Sequence, residues 1–161
     1  CAGCYALKGN YARYPEIKKA QYKRLASISR PDWVKAMAVV INSKAVAQHG
    51  YFRWHDAGDI QSPEHLQKIF EVCKLTPKVK HWMPTREAQF LKDIDPAQVP
   101  DNLIIRMSSH MIDQGPVTFW PHTSTVGSST RTCPAPDQAG KCGDCRSCWS
   151  KDIPNIEYGK H

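Results

Sequence analysis

The chain has 161 residues, 41% of them hydrophobic and 23% charged, with a formal net charge of +7. Those values describe one globular domain large enough to bury a core, and they exclude a disordered or fibrous chain. No apolar run approaches the roughly 18 residues of a membrane span and no secretory signal is visible, so a cytoplasmic protein with no membrane partner is expected.

The sequence begins at Cys1 rather than Met, so residues upstream of it are expected. After Cys1-Ala2-Gly3-Cys4, residues 5–14 are aromatic and polar without a clean period and read as a loop. Pro15 starts a helix predicted to reach Ile28, with Ile17, Gln21, Leu25 and Ile28 along one face. Ser29 is the predicted cap of a second helix with Pro31 in its first turn. Val34, Met37, Ala38, Ile41 and Ala45 recur there at helical spacing, and Gly50 ends it. Residues 51–55 form a short aromatic strand that runs into the turn Asp56-Ala57-Gly58-Asp59. Ser62 and Pro63 open a third helix carrying Leu66, Ile69, Phe70 and Cys73 on one stripe, which makes Cys73 a core thiol. A second strand, 79–83, ends at Pro84-Thr85-Arg86, and a short helix is predicted over 87–94. A third strand, 103–107, ends at Ser108-Ser109-His110, and a fourth covers 123–126. Beyond Cys133 the chain is Pro- and Gly-rich and reads as loop, held by a metal rather than by apolar burial.

This alternation predicts an α/β fold, an open parallel sheet or a partial (β/α) barrel, with a metal-bound cysteine-rich C-terminal tail. It is read as a single domain over 1–161. Residues 1–130 form the α/β core, and 131–161 pack back on the N-terminal C-x2-C.

Six of the seven cysteines lie in two distant stretches: Cys1 and Cys4, then Cys133, Cys142, Cys145 and Cys148. An odd count without a secretory signal favours metal or redox chemistry over a disulfide framework. A C-x2-C-x2-C run would set three thiolates on one tight turn, which suits one face of an iron–sulfur cubane. Zinc needs only two C-x2-C pairs and is the alternative metal. The candidate ligands of a [4Fe–4S] cluster are Cys4, Cys142, Cys145 and Cys148, with Cys1 and Cys133 as rivals.

Ligands of parallel α/β proteins bind at the carboxyl ends of the strands. Those ends carry His55, Asp56 and Asp59, then Arg86, then Ser108, a candidate ligand-binding set. The plainer reading is that the aspartates are turn or cap residues and that Arg86 pairs with one of them. The positive residues concentrate mildly over 18–35, which reads as a solvated helix face. The net charge permits a nucleic-acid partner without demanding one.

Three stretches, Cys1-Ala2-Gly3-Cys4-Tyr5-Ala6, Phe52-Arg53-Trp54-His55-Asp56-Ala57-Gly58-Asp59 and Cys142-Gly143-Asp144-Cys145-Arg146-Ser147-Cys148-Trp149, resemble the phage gene product 88 family of small cysteine-rich proteins. Tyr158 and His161 extend the resemblance. It implies an iron–sulfur-binding phage protein made in the cytoplasm of a bacterial host. A weaker similarity is to radical S-adenosylmethionine enzymes. Ala57-Gly58-Asp59 sits where their methionine-binding turn would be, but a C-x2-C stands where they carry C-x3-C-x2-C.

The function expected is iron–sulfur binding in an electron-transfer or cluster-accessory role. One alternative is a radical-type enzyme that holds S-adenosylmethionine with Asp59, Arg86 and Ser108. The other is a zinc-stabilised nucleic-acid-binding module. The redox partner and any substrate are not legible in the sequence, and whether the chain is an enzyme stays open.

Overall fold

The computed structural model describes residues 9–43, 49–56 and 58–160. Helix α1 spans Gly9–Arg13 and α2 spans Pro15–Ser27. The predicted loop before Pro15 is therefore helical over residues 9–13. Pro15 occupies the first turn of α2, where a missing N–H is harmless. Helix α3, Trp33–Ile41, buries Trp33, Ala38 and Ile41.

The start of α3 differs from the one predicted. The Ser29 hydroxyl donates back to the Ala26 carbonyl at 2.9 Å, so Ser29 closes α2 instead of capping α3. Asp32 precedes α3, but its carboxylate is taken by Arg30, at 2.9 Å from Nε and 2.7 Å from Nη2. Ala45 lies outside the described residues. Helix α4, Pro63–Leu75, follows its prediction closely. Ser62 accepts from the His65 N–H at 3.1 Å, and Leu66, Ile69, Phe70 and Cys73 are buried.

The five strands are β1 (Tyr51–Arg53), β2 (Lys80–Thr85), β3 (Leu103–Ser108), β4 (Thr123–Gly127) and β5 (Asn155–Gly159). They pair in sequence order, and every pairing is parallel. The sheet is open and curled into a half-barrel, so the α/β, parallel-sheet expectation holds. No described helix is long and apolar enough to cross a membrane.

Two expectations need correction. The helix predicted over 87–94 is only a single turn of 3-10 helix, Ala88–Phe90. Its entry is pinned to the sheet, because the Glu87 N–H bonds the Thr85 hydroxyl at 3.0 Å and the Arg86 N–H bonds Asp59 at 2.8 Å. The tail is also more than a loop, since it supplies β5. The alternation in Asn155-Ile156-Glu157-Tyr158-Gly159 after Pro154 was the available signal.

The sheet divides the core in two. Leu103, Ile105 and Met107 of β3 pack on the helix side with Leu66, Ile69 and Trp33. Ile104 and Arg106 alternate to the other face. There Trp82, Cys148 and Ile156 form a second cluster, flanked by Cys133, Trp149 and Tyr158. The cysteine-rich tail therefore covers the face opposite the helices.

Candidate thiol site

Arg106 stands in the middle of β3 with 0% exposure, so its charge is completely withdrawn from water. Its four shortest guanidinium bonds go to main-chain carbonyls of the tail. Nε reaches Cys148 at 3.0 Å, Nη1 reaches Ile153 at 3.0 Å, and Nη2 reaches Ser147 at 3.0 Å and Ser150 at 2.9 Å. The ion pairs among the described residues join Arg30 to Asp32, Arg131 to Asp137 and Lys151 to Asp101, and Arg106 is in none of them. Among the described residues, this buried cation thus has carbonyl dipoles around it and no carboxylate paired with it.

Of the tail thiols, Cys148 lies near enough to that cation to interact with it electrostatically. Cys148 is buried, with Sγ 3.4 Å from the Tyr158 hydroxyl. Burial pushes its thiol pKa up, the Cys133 and Cys142 thiols push in the same direction, and the Tyr158 hydrogen bond and Arg106 oppose them. The Tyr158 hydroxyl is likewise raised, first by burial and then by Cys148. Cys145 is half-buried, and Ser147, with its oxygen 3.3 Å from Sγ, holds that thiol below its usual range. The Cys145 N–H donates to the Cys142 carbonyl at 3.0 Å, closing the C-x2-C turn in which Gly143 adopts φ +53°.

Besides Lys80, 5.9 Å from the Tyr51 ring, two further cations lie over the aromatic rings of this region. Arg53 sits 4.9 Å from the Trp82 ring, and Arg146 sits 5.0 Å from the Tyr51 ring. Trp82 is 7% exposed, and its buried indole N–H has no acceptor among the described residues.

The predicted tight turn of three thiolates is spread through depth: Cys142 exposed, Cys145 half-buried, Cys148 buried. Among the described residues, no three His, Cys, Asp or Glu side chains converge to hold a metal ion. Cys1 and Cys4 lie outside the described residues. In chemistry, the donor set does fit a thiolate-bound centre. It offers soft sulfur ligands, an uncompensated cation and an orphaned buried N–H donor beside them.

The strand-end residues have other partners. Asp59 accepts from the Thr85 hydroxyl at 2.5 Å and the Ile60 N–H at 2.8 Å through one oxygen, and from the Arg86 N–H at 2.8 Å through the other. It joins the exits of β1 and β2. The Arg86 guanidinium does not pair with Asp59 and reaches the Ser109 carbonyl at 3.4 Å. Asp56 accepts from the Tyr11 hydroxyl, which ties α1 to the end of β1. Ser108 and Ser124 share a hydroxyl–hydroxyl bond of 2.9 Å between β3 and β4. His55 has φ +55° and a buried Nε2 without a partner among the described residues, with its ring 5.8 Å from that of His65. Burial lowers the His55 pKa, opposed by Asp59. Arg106 and Tyr158 were not singled out as site residues from sequence. An arginine inside the apolar run Leu103-Ile104-Ile105-Arg106-Met107 was the signal for the first.

A family model described as Gene product 88 matches residues 1–151. No curated protein and no solved structure matches the chain. These comparisons give no support to the similarity with radical S-adenosylmethionine enzymes. The family match spans both cysteine stretches, Arg106 and four of the five strands, and the chain belongs to the phage Gene product 88 family.

Proposed function

We propose that this chain binds an iron–sulfur cluster and acts in electron transfer or as a cluster-handling accessory in the cytoplasm of a bacterial host. It would do so as a single domain over 1–161. Residues 131–161 would pack back on the N-terminal C-x2-C, and Cys4, Cys142, Cys145 and Cys148 would serve as ligands, with Cys133 and Cys1 as rivals.

The observation that carries this reading is Arg106. A buried guanidinium without a counter-charge is expensive, and carbonyl dipoles offset only part of the cost. A thiolate-ligated cluster carries net negative charge and would complete the electrostatics of that face. Trp82 supports the same reading, since its orphaned N–H packs in the cluster that contains Cys148 and sulfur would accept it. The bond from Tyr11 to Asp56 supports an N-terminal contribution, because it holds α1 at the carboxyl end of β1. Tyr158, the neighbour of Cys148, stands toward the same end of β5.

A bound cluster would supply one-electron chemistry. The residues around it would set its potential through charge, hydrogen bonds and exclusion of water. Arg106 would stabilise the more negative, reduced state, and Tyr158 and Trp82 would donate toward sulfur.

The test is iron, sulfide and zinc content with a visible spectrum on anaerobically purified protein. About four irons and four sulfides per chain are expected. Serine variants of each of the six clustered cysteines should sort ligands from bystanders, with Cys73→Ser retaining its iron. One zinc and no iron would overturn the redox role and leave a structural metal.

A further inference from the structure

We infer that the solvent face of α2 is a binding surface for single-stranded nucleic acid. Between residues 13 and 24 the chain carries five cations, Arg13, Lys18, Lys19, Lys23 and Arg24, against one acid, Glu16. That stretch holds more than half of the net +7. The helix buries none of its residues, and its half-buried positions, Ile17, Ala20, Gln21 and Ser27, lie on one side. Lys18, Lys19, Tyr22 and Lys23 lie on the other side, exposed, at the i, i+1, i+4, i+5 spacing of a single helix face.

This face is built against its own stability. Lys19 and Lys23, four residues apart, repel each other. The ion pairs among the described residues involve none of these lysines. An anionic partner would turn that repulsion into binding. Tyr22, 62% exposed among the lysines, presents a flat ring to whatever docks there, and Tyr14, 47% exposed, lies at the start of the same helix.

Cations that track a backbone and aromatic rings on which bases stack are the two components of single-strand recognition. A duplex hides its bases from such a ring. An anionic membrane is the poorer fit, because a surface-seated helix needs a stripe of Leu, Phe or Trp that this face lacks.

The experiment is fluorescence anisotropy of the full chain with a labelled oligo(dT) of about 20 nucleotides at several salt concentrations. Wild-type protein should bind with a salt-dependent Kd. A Lys18→Gln, Lys19→Gln, Lys23→Gln variant should bind at least tenfold more weakly, with the slope of log Kd against log salt shallower by about 2. Tyr22→Ala should lose about tenfold at unchanged slope, and Tyr22→Phe should restore it. Since α2 buries no residue, these variants should keep the wild-type circular dichroism and a Tm no lower than wild type, so a loss of binding reports the surface itself. The inference is overturned by absence of oligo(dT) binding, by wild-type affinity in the triple variant, or by wild-type affinity in Tyr22→Ala. Tighter binding to duplex DNA or to phosphatidylglycerol vesicles than to oligo(dT) would overturn it as well.

Discussion

Arg106 couples the tail to the sheet through four main-chain carbonyls at 2.9 to 3.0 Å. Replacing it with methionine keeps the apolar stem and strands those acceptors, so Arg106→Met should cost on the order of 3 kcal/mol or more in urea denaturation. Arg106→Lys, with a point charge and three donors on one nitrogen, should recover only part of that. A loss below about 1 kcal/mol for Arg106→Met would mean that other contacts hold the tail.

His81 offers a separate test. The Thr76 hydroxyl donates to the Val72 carbonyl at 2.8 Å, so its oxygen accepts from His81 Nε2 at 2.8 Å. Nδ1 is left buried without a partner among the described residues. Burial lowers the His81 pKa to about 4, below the ordinary 6.5, with the Thr76 contact opposing. His65 is lowered to about 4 as well, by burial and then by His55 and Lys68. A depressed histidine contributes stability that is complete above the unfolded-state pKa and is lost as pH falls from there toward the folded-state value. Unfolding free energy should therefore drop between pH about 6.5 and about 4, by on the order of 3 kcal/mol for His81. His81→Gln should flatten that slope. An unchanged slope in the variant would assign the acid sensitivity elsewhere.

At the scale of elements, the β4–β5 pair is closely fitted at Gly127. A Cβ added at Gly127 would lie 2.5 Å from the Thr130 carbonyl oxygen and 2.7 Å from Glu157 Oε1. The first contact is main chain and cannot rotate away. Gly127→Ala should therefore destabilise by about 1–3 kcal/mol, read as a lowered urea midpoint at unchanged m value. A neutral result would show that the 128–131 connection yields.

The same contrast explains what the sequence disclosed. Helix α4 and strands β2 and β3 were legible because a helical stripe and apolar runs are local patterns. The start of α3 and the shortened turn at Ala88–Phe90 were not: Ser29 has two local uses, closing α2 through Ala26 or capping α3, and the chain at Arg86 and Glu87 is held by Thr85 beside it and by the distant Asp59. At the candidate site, the cysteine spacing was legible and the depth of each thiol was not. Depth depends on how residues 142–149 lie against Trp82 and Ile156.

For the whole molecule, the sheet has one face closed by helices and the other by the tail. If a metal centre anchors the tail, removing it with a chelator under reducing conditions should lower Tm and speed amide exchange first over 147–159, with α4 still protected. Uniform exchange throughout would mean that tail and core unfold as one unit, and an unchanged Tm would mean that the tail needs no metal.

The position of β5 has a consequence for synthesis. Cysteines 133 to 148 precede Asn155–Gly159 in the chain, so they leave the ribosome before the strand that carries Tyr158. Until that strand docks, a nascent chain presents β4 as an unpaired edge, and Trp82 and Ile104 lack their full cover. The interval is a hazard for aggregation. It is also the period when the thiols are most accessible, so if the proposed metal centre forms, it would load more readily before docking than after it.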